Sequence, residues 1–430
     1  MNLTPEQQAL LDGAKGPAMA KVVKTLVMYG ECFGAKRMVP VTGTNGHLVT
    51  SFGLSMLGPV YDLMDELLAD GALSGQSFSA DPRPLDPAVP ANPLQRLLFK
   101  IMYSKQDDYE AQLTRMGLMG GDAFTCTCYQ PEVGNRPARG DVLSWAESSA
   151  VVFANSVLGA RCNRNSGIIE MFGSIAGFVP DFGLLTDEGR RATWVIEVDC
   201  ERRPEAQVLG SAIGMRVMED VPYIVGLDRW LGRELTADVE DYLKDMGAAS
   251  ASNGAVGLFH VDGLTPEAAE KGRELVTADA RTYRIDDAEL ERVRASYPVM
   301  WKRPDARPKL AFIGCPHLSS AQLAHWADAI CDGLAAAGKS RVQVPTVLTA
   351  APAVADAFRT TPAYGRLAAT SAVVSSICPL MYTNNPLCGS MPIITNSNKL
   401  RTYSTSRYHT DAEVLAYVTG GSLGKKGGDR

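Results

Sequence analysis

The stretch "TCTCYQPEVGNRPARG", residues 125–140, places Cys126 and Cys128 one residue apart, just ahead of a Gly-Asn-Arg-Pro turn. Two more polar turns carry a cysteine next to a proline: Cys315 in "IGCPHLSS" and Cys378 in "SSICPL". A thiolate is a soft ligand, suited to zinc, copper(I) or iron–sulfur centres. Three such turns make a candidate metal site. There is no Cys-x-x-Cys spacing to specify one, and free cysteine is among the most buried residue types. On residue pattern alone, ligation and packing therefore both stay open. Cys331, inside an Ala- and Leu-rich stretch, and Cys200, after an apolar run, read as core.

The elements that must position these turns alternate between helix and strand. "LTPEQQALL" predicts a helix with Thr4 as N-cap and Pro5 at its first position, and "AMAKVVKTLVMYGECFG" a second helix ending near Gly34. "RMVPV" reads as a short strand running into the polar loop "TGTNGH". "WVIEVD", "AVGLFHV", "KLAFIG" and "AVVSSI" read as buried strands, while "PEAAEKGRELV", "DDAELERVRASY" and "SSAQLAHWADAICDGLAAAG" read as helices, the last capped by Ser319 or Ser320. This is an α/β chain with mostly parallel sheets. Cys315 and Cys378 are expected immediately past their strands, where open α/β sheets bind ligands.

With 430 residues and 46% hydrophobic content, the chain can build more than one core. Two Pro-rich connections, 81–93 and 297–309, suggest lobe boundaries, and tentative lobes are 1–135, 136–300 and 301–430. The formal net charge is −6, and no run of Lys or Arg occurs beyond the short tail "GKKGGDR". That argues against nucleic acid or an anionic membrane as partner. "MNLTPEQQALL" has no leader pattern and no apolar run approaches bilayer length, so a soluble, cytoplasmic protein is expected. Nine cysteines without an export signal favour free thiols or metal ligands over disulfides.

Several long motifs, "TCTCYQPEVGNRPARGDVLSWAESSAVVFANSVLGARCNRNSG", "MGAASASNGAVGLFHVDGLTPEA", "IGCPHLS" and "ITNSNK", together resemble the catalytic large subunit of the aconitase X family, over about residues 16–403. The resemblance implies an iron–sulfur-dependent hydro-lyase of multi-lobed α/β/α architecture around a central cleft, closed by a swivelling domain that is fused or separate. It implies Cys126, Cys315 and Cys378 as cluster ligands, leaving one iron without a protein thiolate to polarise a substrate hydroxyl. It also implies a base, a serine, from the swivelling domain. The chain ends soon after "TNSNKLRTYSTSRYHTDAEVLAYVTGG", so that serine is expected from a small partner subunit. Two positions depart from the family pattern: Cys128 stands where Pro is usual, and Cys162 where Thr is usual.

"NSVLGARCNRNSG" offers Arg161, Asn163 and Arg164, and guanidinium groups bind carboxylate or phosphate bidentately. An arginine here could equally pair with Glu147 or Asp141. Ser148 and Ser149 in "AESSA" could cap the next segment or donate to an oxyanion. Asn45 and His47 in one polar loop, and Asn396, Ser397 and Lys399 in "NSNK", could wrap a small polar ligand. His47 and Lys399 are this chain's own catalytic candidates, although a lone loop histidine is more often a surface group. His260 and His317 are placed to orient ligands. Known activities of the family are dehydration of cis-3-hydroxy-L-proline and of mevalonate 5-phosphate. The absence of a glycine phosphate cradle favours the amino acid. A zinc-dependent or metal-free lyase, and a non-catalytic or RNA-binding cluster protein, are the readings from other classes; the acidic charge speaks against RNA.

Overall fold

Strands apolar at every position are stable only when both faces are covered. The Leu310–Leu318 and Thr346–Ala350 strands are buried throughout. They are central in a five-stranded parallel sheet ordered Val373–Ser375, Thr346–Ala350, Leu310–Leu318, Ile393–Thr395 and Arg407–Tyr408. Side-chain alternation divides its two cores. Ala311 and Ile313 pack with Trp326, Ile330, Phe358 and Val414 on one face. Leu310, Phe312 and Cys315 pack with Phe99, Tyr103 and Tyr382 on the other. A second parallel sheet runs His260–Val261, Pro222–Val225, Ala192–Val198 and Val276–Ile285. Two small pairs complete the chain: Met38–Pro40 antiparallel to Phe178–Pro180, and Gly46–Leu48 parallel to Phe78–Ala80. This computed structural model describes residues 1–421, and the tail "GKKGGDR" lies outside them.

The α/β class with mostly parallel sheets is borne out. Thr4 caps Pro5–Leu11 in a reciprocal box with Gln7, and Ser319 rather than Ser320 caps Ser320–Ala336 with Gln322. The Pro-rich segment 81–93 carries no helix or strand up to Pro93, where Asn92 caps the Pro93–Met102 helix. Among the described residues no helix is long and apolar enough to cross a membrane.

Three local expectations need correction. "AVGLFHV" pairs as a strand only at His260–Val261. Before that, Asn155 Nδ2 donates to the Gly257 carbonyl at 2.8 Å and Phe259 N–H donates to Ser156 Oγ at 2.9 Å. Helix side chains thus replace the ladder. "PEAAEKGRELV" is helical only over Pro266–Lys271 and a 3₁₀ turn at Gly272–Leu275. Val276–Ile285 then forms an edge strand that alternation hid, because its outward positions are charged. Lastly, Cys315 lies inside its strand and not past it. Ile313 pairs with Leu348 and Leu318 with Ala350, so residues 314–317 bulge out of the ladder. Gly314 allows this: its φ is +97°, and a Cβ there would meet the Thr349 carbonyl at 2.8 Å.

The Gly167–Ala176 helix buries Glu170 at 1% exposure. Ser144 Oγ lies 2.7 Å from both the Glu170 carbonyl and Glu170 Oε2. One hydroxyl proton cannot serve both, so a protonated Glu170 donates to Ser144, which donates to the carbonyl. Burial pushes the Glu170 carboxyl up to about 8. The unfolded chain loses this proton near 4.5 and the folded one near 8, so stability falls as pH rises through that window. Glu170→Gln is expected to flatten this decline, measured as the urea midpoint between pH 5 and pH 9.

Candidate active site

Each of the three cysteine turns follows from local structure. Thr125 N–H donates to the Ala80 carbonyl at 2.7 Å, extending the Phe78–Ala80 strand and bringing Cys126 inward. Cys315 sits on the bulge, and Cys378 precedes the Pro379–Thr383 helix, its N–H donating to the Arg83 carbonyl at 2.8 Å. Cys126 and Cys315 are buried and Cys378 is partly exposed; all nine cysteines are free thiols.

His317 ties the three turns together. Its backbone N–H donates to Cys126 Sγ at 3.4 Å, and its ring reaches Thr125 Oγ1 at 3.0 Å and the Ile377 carbonyl at 3.2 Å. A carbonyl only accepts, so Nε2 carries the proton and Nδ1 accepts from Thr125. Burial lowers the imidazole to about 4, so it is neutral in this role.

A buried ion pair stands beside these thiols. Lys399 donates to Glu147 and, at 3.2 Å, to Ser149 Oγ. Glu147 also accepts from Ser149 Oγ at 2.6 Å and Ala150 N–H at 2.7 Å, capping the Ser148–Ser156 helix. Its φ of +83° is rare for a residue with a Cβ. The capping role thus falls to Glu147, with Ser149 supporting it. Burial works against the Lys399 ammonium, but Glu147, Cys315 and Cys126 outweigh it and raise its pKa. Burial raises the Cys126 and Cys315 thiols, and raises Cys378 to about 12. Thiols so held keep their protons until a metal replaces them.

"NSNK" serves the same turns. Ser397 donates to the Cys315 carbonyl, and Asn396 accepts from Gly314 N–H at 3.4 Å while donating to Asp411 at 2.8 Å. His47 is not a surface loop group: it lies in the Gly46–Leu48 strand with 0% exposure. Its Nδ1 meets Ser79 Oγ at 2.9 Å, and its Nε2 lies 3.7 Å from Asp81 Oδ1. Burial opposes its charge, but Cys128 and Asp81 outweigh burial and lift it to about 10. Asn45 contributes its carbonyl to Trp145 Nε1 at 2.9 Å.

The arginines divide. Arg161 pairs with Asp187, not with Glu147 or Asp141, and donates to the Leu185 carbonyl at 2.7 Å. Asn163 bridges the Phe182 carbonyl and Leu184 N–H, so both hold the 182–187 segment. Arg164 is half-buried and meets only the Ala251 carbonyl, at 3.4 Å, with no ion pair among the described residues. Burial lowers its guanidinium below the usual arginine range, against the pull of Tyr403 and Glu147. His260 Nε2 donates to the Arg190 carbonyl at 2.9 Å, beside Glu267, and belongs to the second sheet.

Several polar groups escaped the sequence reading. His47 Nε2, Asp81 Oδ1, Tyr129 Oη and both amide atoms of Gln130 are buried with no hydrogen-bond partner among the described residues. His47 Nε2 and Asp81 Oδ1 face each other at 3.7 Å, and Tyr129 and Gln130 directly follow the Cys126–Cys128 turn. Asp81 follows a strand directly, a signal the prolines after it obscured. A cavity of about 560 Å³ is lined by Arg203, Glu205, Asp238, Asp241, Asp245, His325 and Asp411 and meets the residues above at Asn396 and Asp411.

Three free thiols from three turns, an ammonium beside two of them and orphaned polar atoms nearby fit an iron–sulfur cluster better than a hard ion. Among the described residues, no three His, Cys, Asp or Glu side chains converge as one bound ion requires. In a cluster each thiolate meets its own iron, so the sulfurs stand further apart.

Comparison with known proteins adds to this geometry. Residues 1–188 match the model of the aconitase X first domain and residues 192–295 that of the aconitase X second domain. The phosphomevalonate dehydratase large subunit of Thermococcus kodakarensis is 32% identical over 356 residues, 82% of each chain. The cis-3-hydroxy-L-proline dehydratase of Pseudomonas aeruginosa is 33% identical over 292 residues, 66% of this chain and 47% of that one. The crystal structure of Thermococcus kodakaraensis aconitase X in its holo-form superimposes with a TM-score of 0.77 at 28% identity, covering 97% of this chain and 100% of that chain.

Proposed function

The chain belongs to the aconitase X family, and on that premise we propose that it is the large subunit of an iron–sulfur dehydratase acting on a small hydroxy acid, a cis-3-hydroxy-L-proline type of amino acid. The observation that carries the reading is the meeting of the Cys126, Cys315 and Cys378 turns on His317, beside the Lys399–Glu147 pair. Cys126, Cys315 and Cys378 would hold the cluster, which when bound supplies a Lewis acid for the substrate hydroxyl.

The chain's other side chains bind and orient. Arg164, the guanidinium without an ion pair among the described residues, takes the substrate carboxylate bidentately. Lys399, held as an ammonium by Glu147, keeps positive charge beside the developing hydroxide. Asn396 and Ser397 hold the bulge that presents Cys315. The proton on the carbon next to the hydroxyl goes to a serine of the small partner subunit. Relatives named as large subunits support such a partner.

Mevalonate 5-phosphate is the second reading, favoured by the even 82% coverage of the Thermococcus large subunit. It needs a phosphate site as well as a carboxylate site, and Arg161 is spent on Asp187. The test is to assay the anaerobically purified two-subunit complex with both compounds. Turnover of cis-3-hydroxy-L-proline is expected, and Arg164→Met should raise KM about 10- to 100-fold, the loss of one charge-assisted bidentate contact. Turnover of the phosphate alone selects the second reading, and turnover of neither overturns both.

A further inference from the structure

We infer that the small partner subunit docks on a saddle whose two ridges are the outward face of the Pro93–Met102 helix and the Met300/Tyr403 edge, with segment 378–391 between them. This rests on the large-subunit reading above. Leu94, Leu97 and Ile101 form one stripe of that helix and are 60%, 56% and 60% exposed. The opposite side is buried, with Phe99 and Tyr103 packed against Tyr382. Met56, 80% exposed, adjoins the stripe because Ser55 N–H donates to the Met102 carbonyl at 2.8 Å. A helix apolar on both sides calls for cover on both.

The second ridge carries Met300 and Tyr403, 60% and 41% exposed, over a hollow of about 490 Å³ lined also by Asn384 and Asn385. Segment 378–391 joins the two. Tyr103 Oη donates to the Met381 carbonyl at 2.7 Å, and Gln95 Nε2 donates to Cys388 Sγ at 3.3 Å. A body touching both ridges therefore straddles the short helix that begins after Cys378.

That position selects the occupant. A partner that must deliver a side chain to the site has to sit within reach of Cys378, whereas a second copy of this chain has no such need. A stable interface takes ~800 Å² from each partner, more than one stripe supplies, which is why both ridges are assigned. The only charged side chains on the helix are Arg96 and Lys100, both cationic, so the edge that meets it is acidic.

The experiment is co-expression with the small subunit, read by size-exclusion mass and by Kd from titration. The variants are Leu97→Glu/Ile101→Glu on one ridge, Met300→Glu on the other, and Phe33→Glu as an exposed aromatic outside the saddle. Wild type and Phe33→Glu are expected to form the complex. Each ridge variant should weaken it at least ~10-fold while keeping the thermal midpoint of the isolated chain. Should the double variant fail to fold, Met300→Glu decides alone. Undiminished binding by the folded ridge variants overturns the docking assignment and leaves the large-subunit reading standing. Self-association that Leu97→Glu/Ile101→Glu dissolves, with the small subunit still bound, gives the stripe to a second copy and also overturns it. A wild-type chain that never binds the small subunit overturns the large-subunit reading and this inference with it.

Discussion

Cys315→Ala is expected to reduce iron and sulfide in the anaerobically purified complex to background and to abolish dehydration, with Cys126→Ala and Cys378→Ala behaving alike. Burial holds all three thiols protonated without metal, so each ligand bond offsets a large desolvation cost, and two remaining thiolates cannot hold what three did. Cys128→Ala is the discriminating companion. Cys126 Sγ accepts the His317 N–H, at the meeting point of the three turns. Cys128 faces His47 instead and packs among Cys162, Phe153 and Trp145. Cys128→Ala should therefore keep its iron. Iron retained by Cys126→Ala and lost by Cys128→Ala would reverse the assignment within the "TCTC" turn.

Glu147→Gln is expected to destabilise the chain by about 3–5 kcal/mol, because it strands a buried ammonium without its counter-charge. Lys399→Met should cost a similar amount by stranding the carboxylate. The double variant should recover much of the loss, since it leaves neither a buried ammonium nor a buried carboxylate without its counter-charge, and the neutral amide can still accept from Ala150 N–H. Additive losses in urea unfolding would mean the two residues act separately. The sign with pH follows from Glu147, whose pKa the folded protein holds below the usual 4.5: burial opposes this, and Lys399 with its hydrogen bonds prevails. The pair's contribution is present at neutral pH and is lost as pH falls through that lowered value, where the folded chain must take up a proton. Lys399, raised in the folded chain, loses nothing until far into the alkaline range.

How far the site was legible differs residue by residue. The cysteine turns stood out because proline and small polar residues mark strand ends locally, and Cys378 lies where that signal put it, ahead of a helix. Cys315 does not, since a strand that bulges and resumes looks the same in sequence as one that stops. His47 read as a candidate in a polar loop because its neighbours are Gly, Asn and Thr. Its burial is due to Ser79 and Asp81, which arrive from a parallel strand about thirty residues on. Glu147 was weighed as a partner for arginine, and its actual partner, Lys399, is 252 positions away.

By itself, the sequence determined the α/β class, the cap at Thr4, a cap at either Ser319 or Ser320, the cysteine-bearing turns and, through long ordered motifs, the family. These are encoded by neighbours within a turn of helix or a few residues of strand, where backbone preference and apolar periodicity act directly. Only the tertiary structure decided that His317 joins the three turns, that Arg161 is spent on Asp187 while Arg164 is not, and that one helix shows an apolar face to solvent. Pairings across a hundred or more residues depend on which surfaces two sheets and their covering helices bring together, and no local preference records that.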